Sequence, residues 1–153
     1  MHSVIYKTLT CLTFSSSQVK SQLPRTILIH QSLNTTLAWF DGAAAKHGLR
    51  SGARGVIKTQ ETTVYKWTFY CGKGTNTRAD LLGAWVTLML ADYLEIPCIH
   101  IMGDSKFVID CVRDKGRLMV TSIEGWKKRI KILIQKFHSI DFQYIYRDFN
   151  TDA

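Results

Sequence analysis

The stretch that most narrowly limits the fold is "TVYKWTFYCG", residues 63–72, in which aromatic and polar side chains alternate. Tyr65, Trp67 and Phe69 fall on one side of an extended chain, and Lys66 and Thr68 fall on the other. A period of two with many aromatic residues is typical of a strand that buries one face. We therefore predict a half-buried strand at residues 63–72.

Two apolar stretches before this strand predict its neighbours. The segments "LAWFDG" (37–42) and "GVIKT" (55–59) both have the composition of strands. The connections between these three segments are short, and short turns join antiparallel strands. The first part of the domain is therefore predicted to be an antiparallel meander.

The remainder of the chain alternates helical and extended patterns. Apolar residues at spacings of three and four predict an amphipathic helix within "RADLLGAWVTLMLADYLEI" (78–96). A buried strand is predicted at "CIHIMGD" (98–104) and a helix at "SKFVIDCV" (105–112). A helix that opens with a capping box is predicted at "TSIEGWKKRI" (121–130), and a last strand at "DFQYIYRDFN" (141–150).

This order predicts an α/β fold with a mixed five-stranded sheet. Three antiparallel strands are followed by parallel strands, and helices are expected on both faces of the sheet. The domain is predicted to occupy residues 37–153. Residues 1–36, which include the hydroxyl-rich "TFSSSQVKSQ", are expected to form a poorly ordered extension, with an organelle transit peptide as the weaker alternative.

The net charge of the chain limits its partners. A formal charge of +8 favours an anionic partner, most commonly nucleic acid, although a basic soluble surface without such a partner is the alternative. No apolar run approaches the roughly 20 residues that span a bilayer, so no membrane partner is expected. The four cysteines form no CxxC pair, which argues against a zinc finger and favours a reducing compartment such as nucleus or cytoplasm.

Three acidic residues end or begin predicted elements in a pattern that suggests a metal site. Asp41 and Asp104 each follow an apolar strand, and Asp80 lies near the start of the first long helix. If the two strands are parallel neighbours, their acids meet at one edge of the sheet. Clustered carboxylates repel one another, and all-oxygen ligands favour Mg²⁺ or Mn²⁺. Individually, Asp80 is equally well explained by the helix dipole and Asp104 by an N-cap.

Five strings in order give the chain a resemblance to a known family. "WFDGAA", "GTNTRADLLGAW", "GDSKFVID", "EGWKKRI" and "RDFNTDA" resemble the ribonuclease H domain of the plant reverse-transcriptase-like family, the type attached to retroelement polymerases. The resemblance covers about residues 38–153. It implies a ribonuclease H-like domain of the type-1 ribonuclease H family.

The resemblance implies an endonuclease that hydrolyses the RNA strand of RNA–DNA hybrids with two Mg²⁺ ions held by four carboxylates. Asp41 and Asp104 match two of these acids, and Asp80 stands where the family has a glutamate. The fourth acid belongs to a pattern that Arg147, Asn150 and Ala153 match, and the given chain stops one residue before it. A domain truncated in this way, with a shortened acid at position 80, is expected to be weakly active or inactive.

The same matching implies contacts with nucleic acid at five residues: Asn76, Ser105, Lys106, Lys127 and Lys128. Asn76 resembles the family asparagine that reads the minor groove and its 2′-hydroxyls. Ser105 and Lys106 resemble a pair that touches the backbone, and the lysines of the third helix would contact phosphates. A solvated helix face explains those lysines equally well.

The sequence is therefore consistent with three functions. The first is a metal-dependent hybrid nuclease from a retroelement polyprotein, expected to be a monomer. The second is a catalytically inactive module that still binds nucleic acid or a protein partner. The third is a basic adaptor without a metal site, in which the acids would not converge.

Overall fold

The computed structural model describes residues 12–18, 35–60, 62–113 and 121–153. Its strands are β1 (Leu12–Gln18), β2 (Thr36–Ala45), β3 (Arg50–Lys58), β4 (Thr63–Gly72), β5 (Cys98–Gly103) and β6 (Ser139–Tyr144). Its helices are α1 (Asn76–Tyr93), α2 (Lys106–Val112) and α3 (Thr121–Ile134), and 3-10 turns cover Lys46–Gly48 and Arg147–Phe149. None of the described helices is both long and apolar enough to cross a membrane.

The strands form one mixed sheet in the order β1-β4-β3-β2-β5-β6. Strands β2, β3 and β4 pair in antiparallel fashion, as their short connections predict. Strand β5 pairs with β2 in parallel, and β6 pairs with β5 in parallel. The α/β class and the mixed sheet are thus confirmed, and β2 lies at the point where the sheet changes from antiparallel to parallel.

Residues 12–18 of the N-terminal extension form a sixth strand that the sequence did not predict, and residues 1–11 and 19–34 lie outside the described ones. Strand β1 pairs with β4 along its whole length, from Leu12 opposite Phe69 to Gln18 opposite Thr63. The ring of Phe14 stacks on that of Tyr65, with centroids 5.4 Å apart. Backbone pairing with an edge strand stabilises this hydroxyl-rich segment, and such pairing leaves little trace in a local sequence pattern.

The helices pack against one face of the sheet. Ala38 and Phe40 from β2, Trp67 from β4, and residues of α1, α2 and α3 belong to one buried cluster. Phe40 and Trp67 are almost completely buried. Truncating a core aromatic of this kind typically costs about 3–5 kcal/mol. This cluster holds α1 across β2, and the position of the helix determines which residues of β2 its polar side chains contact.

The opposite face carries a smaller cluster without a helix among the described residues. Leu37, Trp39, Met102 and Ile145 form it, and Ala153 packs against it. The expected helices on both faces are therefore found on one face only in the part of the chain that the structure describes. The indole of Trp39 is fully buried nonetheless, because the segment after β6 returns over this face.

Candidate functional site

Asp41 lies within β2, directly opposite Arg54 of β3. Strand β2 continues to Ala45 beyond the predicted end of the strand, because Ala43, Ala44 and Ala45 continue to pair with β3. Arg54 Nη2 donates to Asp41 Oδ2 at 3.3 Å. The carboxylate side chain is 23% exposed and the guanidinium side chain 61% exposed. Solvent screens a pair this exposed, so it contributes at most about 1 kcal/mol.

Asp104 reaches the same edge because β5 runs parallel to β2. The register pairs Phe40 with Gly103, so the next residues, Asp41 within β2 and Asp104 directly after β5, lie side by side. A side chain at Gly103 would collide with the Phe40 ring at 2.5 Å, which explains why the smallest residue precedes the acid. Arg147 Nε donates to Asp104 Oδ2 at 3.2 Å.

The N-cap explanation for Asp104 is not supported. The residue that caps α2 is Ser105, whose side chain accepts from the Val108 N–H. The side chain of Asp104 is only 6% exposed. The hydrogen bond and charge of Asp104, with smaller contributions from Asp41 and Asp80, raise the pKa of the Arg147 guanidinium. Asp104 is therefore a partly buried acid available for a role other than capping.

Asp80 is buried between α1 and β2. The helix begins at Asn76 with Thr75 as its N-cap, so Asp80 lies beyond the first turn. The helix dipole acts most strongly within the first turn, so it does not explain this acid. Its Oδ1 accepts from the Gly42 N–H at 2.8 Å. A Cβ at Gly42 would lie 2.3 Å from the Asp80 backbone nitrogen, so only glycine permits this approach of helix and strand.

Burial raises the pKa of Asp80 from 3.8 to about 7. The neighbouring charges of Asp104 and Asp41 act in the same direction, and hydrogen bonds from Gly42 and Ser105 oppose them. A carboxyl group in such surroundings holds a proton near neutral pH unless a cation enters the site. The electrostatics therefore favour binding of a positive ligand with release of a proton.

The three acids predicted from the sequence lie together. One carboxylate oxygen from each of Asp41, Asp80 and Asp104 lies within 4.8 Å of the others. Two ligands of one Mg²⁺ ion are at most about 4.2 Å apart, whereas two ions in a shared site lie about 3.5–4 Å apart. The three oxygens would therefore suit two ions in a shared site, or one ion after a contraction of about half an ångström.

A cleft of about 320 Å³ opens over these acids. Asp41, Asp104, Arg54 and Arg147 line it, but Asp80 does not. The shorter aspartate side chain is held back at the Gly42 amide, behind the cleft wall. Two acids and two guanidiniums therefore face the opening, with the third acid beneath them.

The segment after β6 carries the residues that match the pattern around the fourth acid. Arg147 contacts Asp104, and buried Asn150 donates from Nδ2 to the Phe40 carbonyl oxygen at 3.0 Å. These contacts fasten the segment beside Asp41. Asp152 does not join the cluster, because its Oδ1 accepts from Lys58 Nζ at 3.0 Å. Lys58 lies opposite Leu37, four residues from Asp41 along β2, or roughly 13 Å away at 3.3 Å per residue.

The five residues predicted to contact nucleic acid are distributed over two regions. Asn76 begins α1 beside the acids, and its Oδ1 accepts from the Ala44 N–H at 2.6 Å. Ser105 adjoins Asp104, and exposed Lys106 pairs with Asp110 at 2.5 Å. Lys127 and Lys128 lie on α3, which packs against α1 through the Trp85–Trp126 ring contact. The role of all five residues in binding nucleic acid remains a prediction.

Arg54 was not identified from the sequence. Nothing in the string "GARGVI" distinguishes this arginine from a solvated strand residue. Its position opposite Asp41 depends on the β2–β3 register, which the 3-10 turn at Lys46–Gly48 helps to set. A prediction of the hairpin register would have been the only signal for it.

Comparisons with known proteins agree with this architecture. The most similar structures include ribonuclease H1 from the halophilic archaeon Halobacterium salinarum, with 19% identity and a TM-score of 0.72 over 78% of this chain and 91% of that chain. The N-terminal ribonuclease H domain of a Mycobacterium tuberculosis protein was solved as a fusion with maltose binding protein. It has 21% identity and a TM-score of 0.72, over 78% of this chain and 88% of that chain. LC11-RNase H1 in complex with an RNA/DNA hybrid has 17% identity and a TM-score of 0.69, over 77% of this chain and 90% of that chain.

These likenesses show a ribonuclease H-like fold. No curated protein sequence matches the chain. The profile of the reverse transcriptase-like family matches residues 39–153, which include all three clustered acids. The chain therefore belongs to the reverse transcriptase-like family.

Proposed function

We propose that this protein is a metal-dependent endonuclease that hydrolyses the RNA strand of RNA–DNA hybrids. The observation that carries the proposal is the convergence of Asp41, Asp80 and Asp104 from three separate elements. The fold and the family support it, as does the RNA/DNA hybrid bound by the similar LC11-RNase H1. A retroelement polyprotein of plant origin is the proposed source of the domain.

Asp41 and Asp104 would hold Mg²⁺ or Mn²⁺ at the cleft, each through the oxygen that its arginine does not engage. The chemistry that a divalent ion would supply there is activation of water as the nucleophile and neutralisation of charge on the departing oxygen. Asn76, Ser105 and Lys106 would orient the hybrid beside the acids, and Lys127 and Lys128 would contact its phosphates farther along α3.

A second candidate is a catalytically weakened module that still binds hybrid. Two observations favour it: Asp80 is held at the Gly42 amide outside the cleft lining, and Asp152 is paired with Lys58. The third candidate, an adaptor whose acids do not converge, is inconsistent with the observed cluster.

Cleavage of a labelled hybrid with Mg²⁺ or Mn²⁺ tests the proposal directly. Asp41→Asn should abolish cutting, because it removes an anionic ligand from the cleft. Asp148→Asn is the matched control, since it makes the same change at an exposed residue. Equal cutting by the Asp41→Asn variant and the unmodified protein would reject the assignment of the site.

The same assay separates the two candidates through Asp80→Glu. One additional methylene extends the acid past the Gly42 amide toward the cleft, and a displacement of about 1 Å can change a rate about a hundredfold. We expect at least a tenfold faster rate on that scale. Asp92→Glu, on the same helix, is the control. An unaltered rate with Asp80→Glu would show that the shorter acid does not limit activity.

A further inference from the structure

A second groove leaves the acid cluster on the sheet face that carries Asp41. Its volume is about 600 Å³, and it extends from Asp41 and Arg54 over β4 to β1. One row of paired residues forms its floor: Asp41 is opposite Arg54, Arg54 is opposite Thr68, and Thr68 is opposite Thr13. Directly paired residues project from the same face, so an acid, a guanidinium and two hydroxyls follow one another across four strands.

An aromatic side chain borders this row. Tyr70 is 56% exposed, and its neighbours in the adjoining row are Gly52 and Ala43. Because these described neighbours have almost no side chain, the area on the β3 side of the phenol ring is open. An exposed ring next to a guanidinium is the combination on which nucleic-acid bases stack while their phosphates meet a cation.

The three strands beneath the groove have a single sign of charge. Strands β1, β3 and β4 contain Arg50, Arg54, Lys58 and Lys66 and no aspartate or glutamate. Among the described residues that line the groove, the only acid is Asp41, at the end where the groove meets the acid cluster. Arg54 is the one cation among the described residues that line the groove, and Lys66 lies one row from Thr68 on the same face of β4. A polyanion would therefore meet positive charge at Arg54 and, beside the groove, at Lys66.

We propose that this groove binds a single-stranded polynucleotide segment that continues from the strand cut at the acid cluster. The inference rests on the proposed function and adds a substrate class, hybrids with an unpaired extension. The row from Asp41 to Thr13 crosses three strand spacings, about 14 Å in total. That length accommodates up to about four nucleotides at 3.4 Å each.

Strand β1 supplies the outer end of this groove from outside the matched family region. Thr13 lies outside residues 39–153, to which the family profile is matched. Without β1, the floor would end at Thr68 on the edge of β4. The added strand widens the groove with hydroxyl side chains, which donate to phosphate oxygens without introducing a competing charge.

Fluorescence anisotropy in EDTA, where metal-dependent cutting is stopped, measures the binding. The probes are a blunt RNA/DNA hybrid and the same hybrid with a single-stranded extension of about four nucleotides, in RNA or in DNA. We expect the extension to increase affinity. Tyr70→Ala should reduce that increase about fivefold or more. Tyr93→Ala, a change at a tyrosine that is 79% exposed at the end of α1, is the control.

The charge and hydroxyl contributions are separable with further variants. Arg54→Gln should reduce the salt slope of extension binding by about one. Arg113→Gln is the control, because Arg113 also pairs with an aspartate, at 3.4 Å. Replacing Thr13 and Thr68 by valine should weaken extension binding without a change in charge.

Several outcomes would overturn the groove assignment. They are an extension that adds no affinity, a Tyr70→Ala variant that loses affinity for blunt and extended hybrids equally, and a poly-glutamate peptide that displaces the extension as well as an oligonucleotide does. Tighter binding of an extension on the DNA strand than of one on the RNA strand would also contradict the assignment, because the segment is proposed to continue from the RNA strand that is cut. Cleavage of the blunt hybrid reports on the proposed function separately, so a failure of the groove assignment can be distinguished from a failure of the proposed function.

Discussion

Asp80 is a carboxyl group whose surroundings favour the neutral acid. Its side chain is buried, two other acids face it, and its pKa is raised to about 7. The unfolded chain releases this proton at a much lower pH, near 3.8. The free energy of unfolding therefore decreases as pH rises between these two values, and the loss persists above pH 7.

Asp80→Asn should remove this pH dependence in metal-free buffer. Between pH 5 and pH 8, the free energy of unfolding of the unmodified protein should fall by roughly 2–3 kcal/mol relative to that of the variant. The fall is about 1.4 kcal/mol for each pH unit up to the raised pKa. Urea unfolding with EDTA at both pH values measures the gain. Asp148→Asn, at an exposed acid, should show no such trend. An equal stability difference at both pH values would contradict a raised pKa at Asp80.

Among single residues, the sequence predicted those whose position follows from the elements that carry them. Asp41 and Asp104 follow apolar strands, so a parallel pairing was enough to bring them together. Arg54 could not be found in this way, because its contact with Asp41 depends on a hairpin register. The restraint of Asp80 by the Gly42 amide depends in turn on how closely α1 packs, which no local pattern contains.

At the scale of elements, the contact between α1 and β2 determines the geometry of the acids. Gly42 allows the two backbones to approach, and Gly83 of α1 places its backbone beside the Phe40 ring. Leu81, Leu82 and Leu88 then bury the helix in the main core. The helix and the strand therefore carry their acids as one packed unit.

Gly42→Ala should separate this unit. The added Cβ would lie 2.3 Å from Asp80 N and 2.4 Å from Ala79 C, and backbone atoms cannot rotate away as a side chain can. We expect a destabilisation of about 3 kcal/mol, the upper part of the range for overpacking. Gly125→Ala on α3, where a Cβ meets nothing within 4 Å, is the control. Thermal unfolding compares them, and a melting temperature unchanged by Gly42→Ala would refute the steric argument.

The patterns predicted which elements exist better than where they end. Strand β4 matches its prediction, and α1 differs by two or three residues at its ends, at Asn76 and Tyr93. Strand β6 ends at Tyr144, well before the predicted Asn150, because the chain leaves the sheet to place Arg147 beside Asp104. The third helix begins at Thr121 as predicted, although the side chains at 121–123, including that of the capping residue, lie outside the described ones.

At the scale of the whole molecule, the final residues cover the sheet face opposite the helices. Asp152 pairs with Lys58, whose ammonium lies 5.0 Å from the centroid of the Trp39 ring. Ala153 packs beside the same cluster. This arrangement makes the last described segment part of the fold and directs Asp152 away from the acid cluster.

Asp152→Asn should therefore leave metal-dependent cleavage unchanged. Loss of this partly exposed ion pair should reduce the free energy of unfolding by about 1 kcal/mol or less. Parallel cleavage and urea-unfolding measurements check both expectations, with Asp41→Asn as the variant that abolishes cutting. A tenfold loss of cleavage in Asp152→Asn would identify it as a fourth ligand that changes partners when metal binds.

Strand β1 also has a consequence for the behaviour of the protein at high concentration. Without it, the outer amides and carbonyls of β4, a strand rich in aromatic residues, would invite pairing with other molecules. Seven residues, three of them consecutive serines, occupy that position and present a polar border instead. The hydroxyl-rich strand thereby covers the aromatic β4 and becomes the outer edge itself, and a short polar strand is a poorer template for intermolecular pairing than β4 would be.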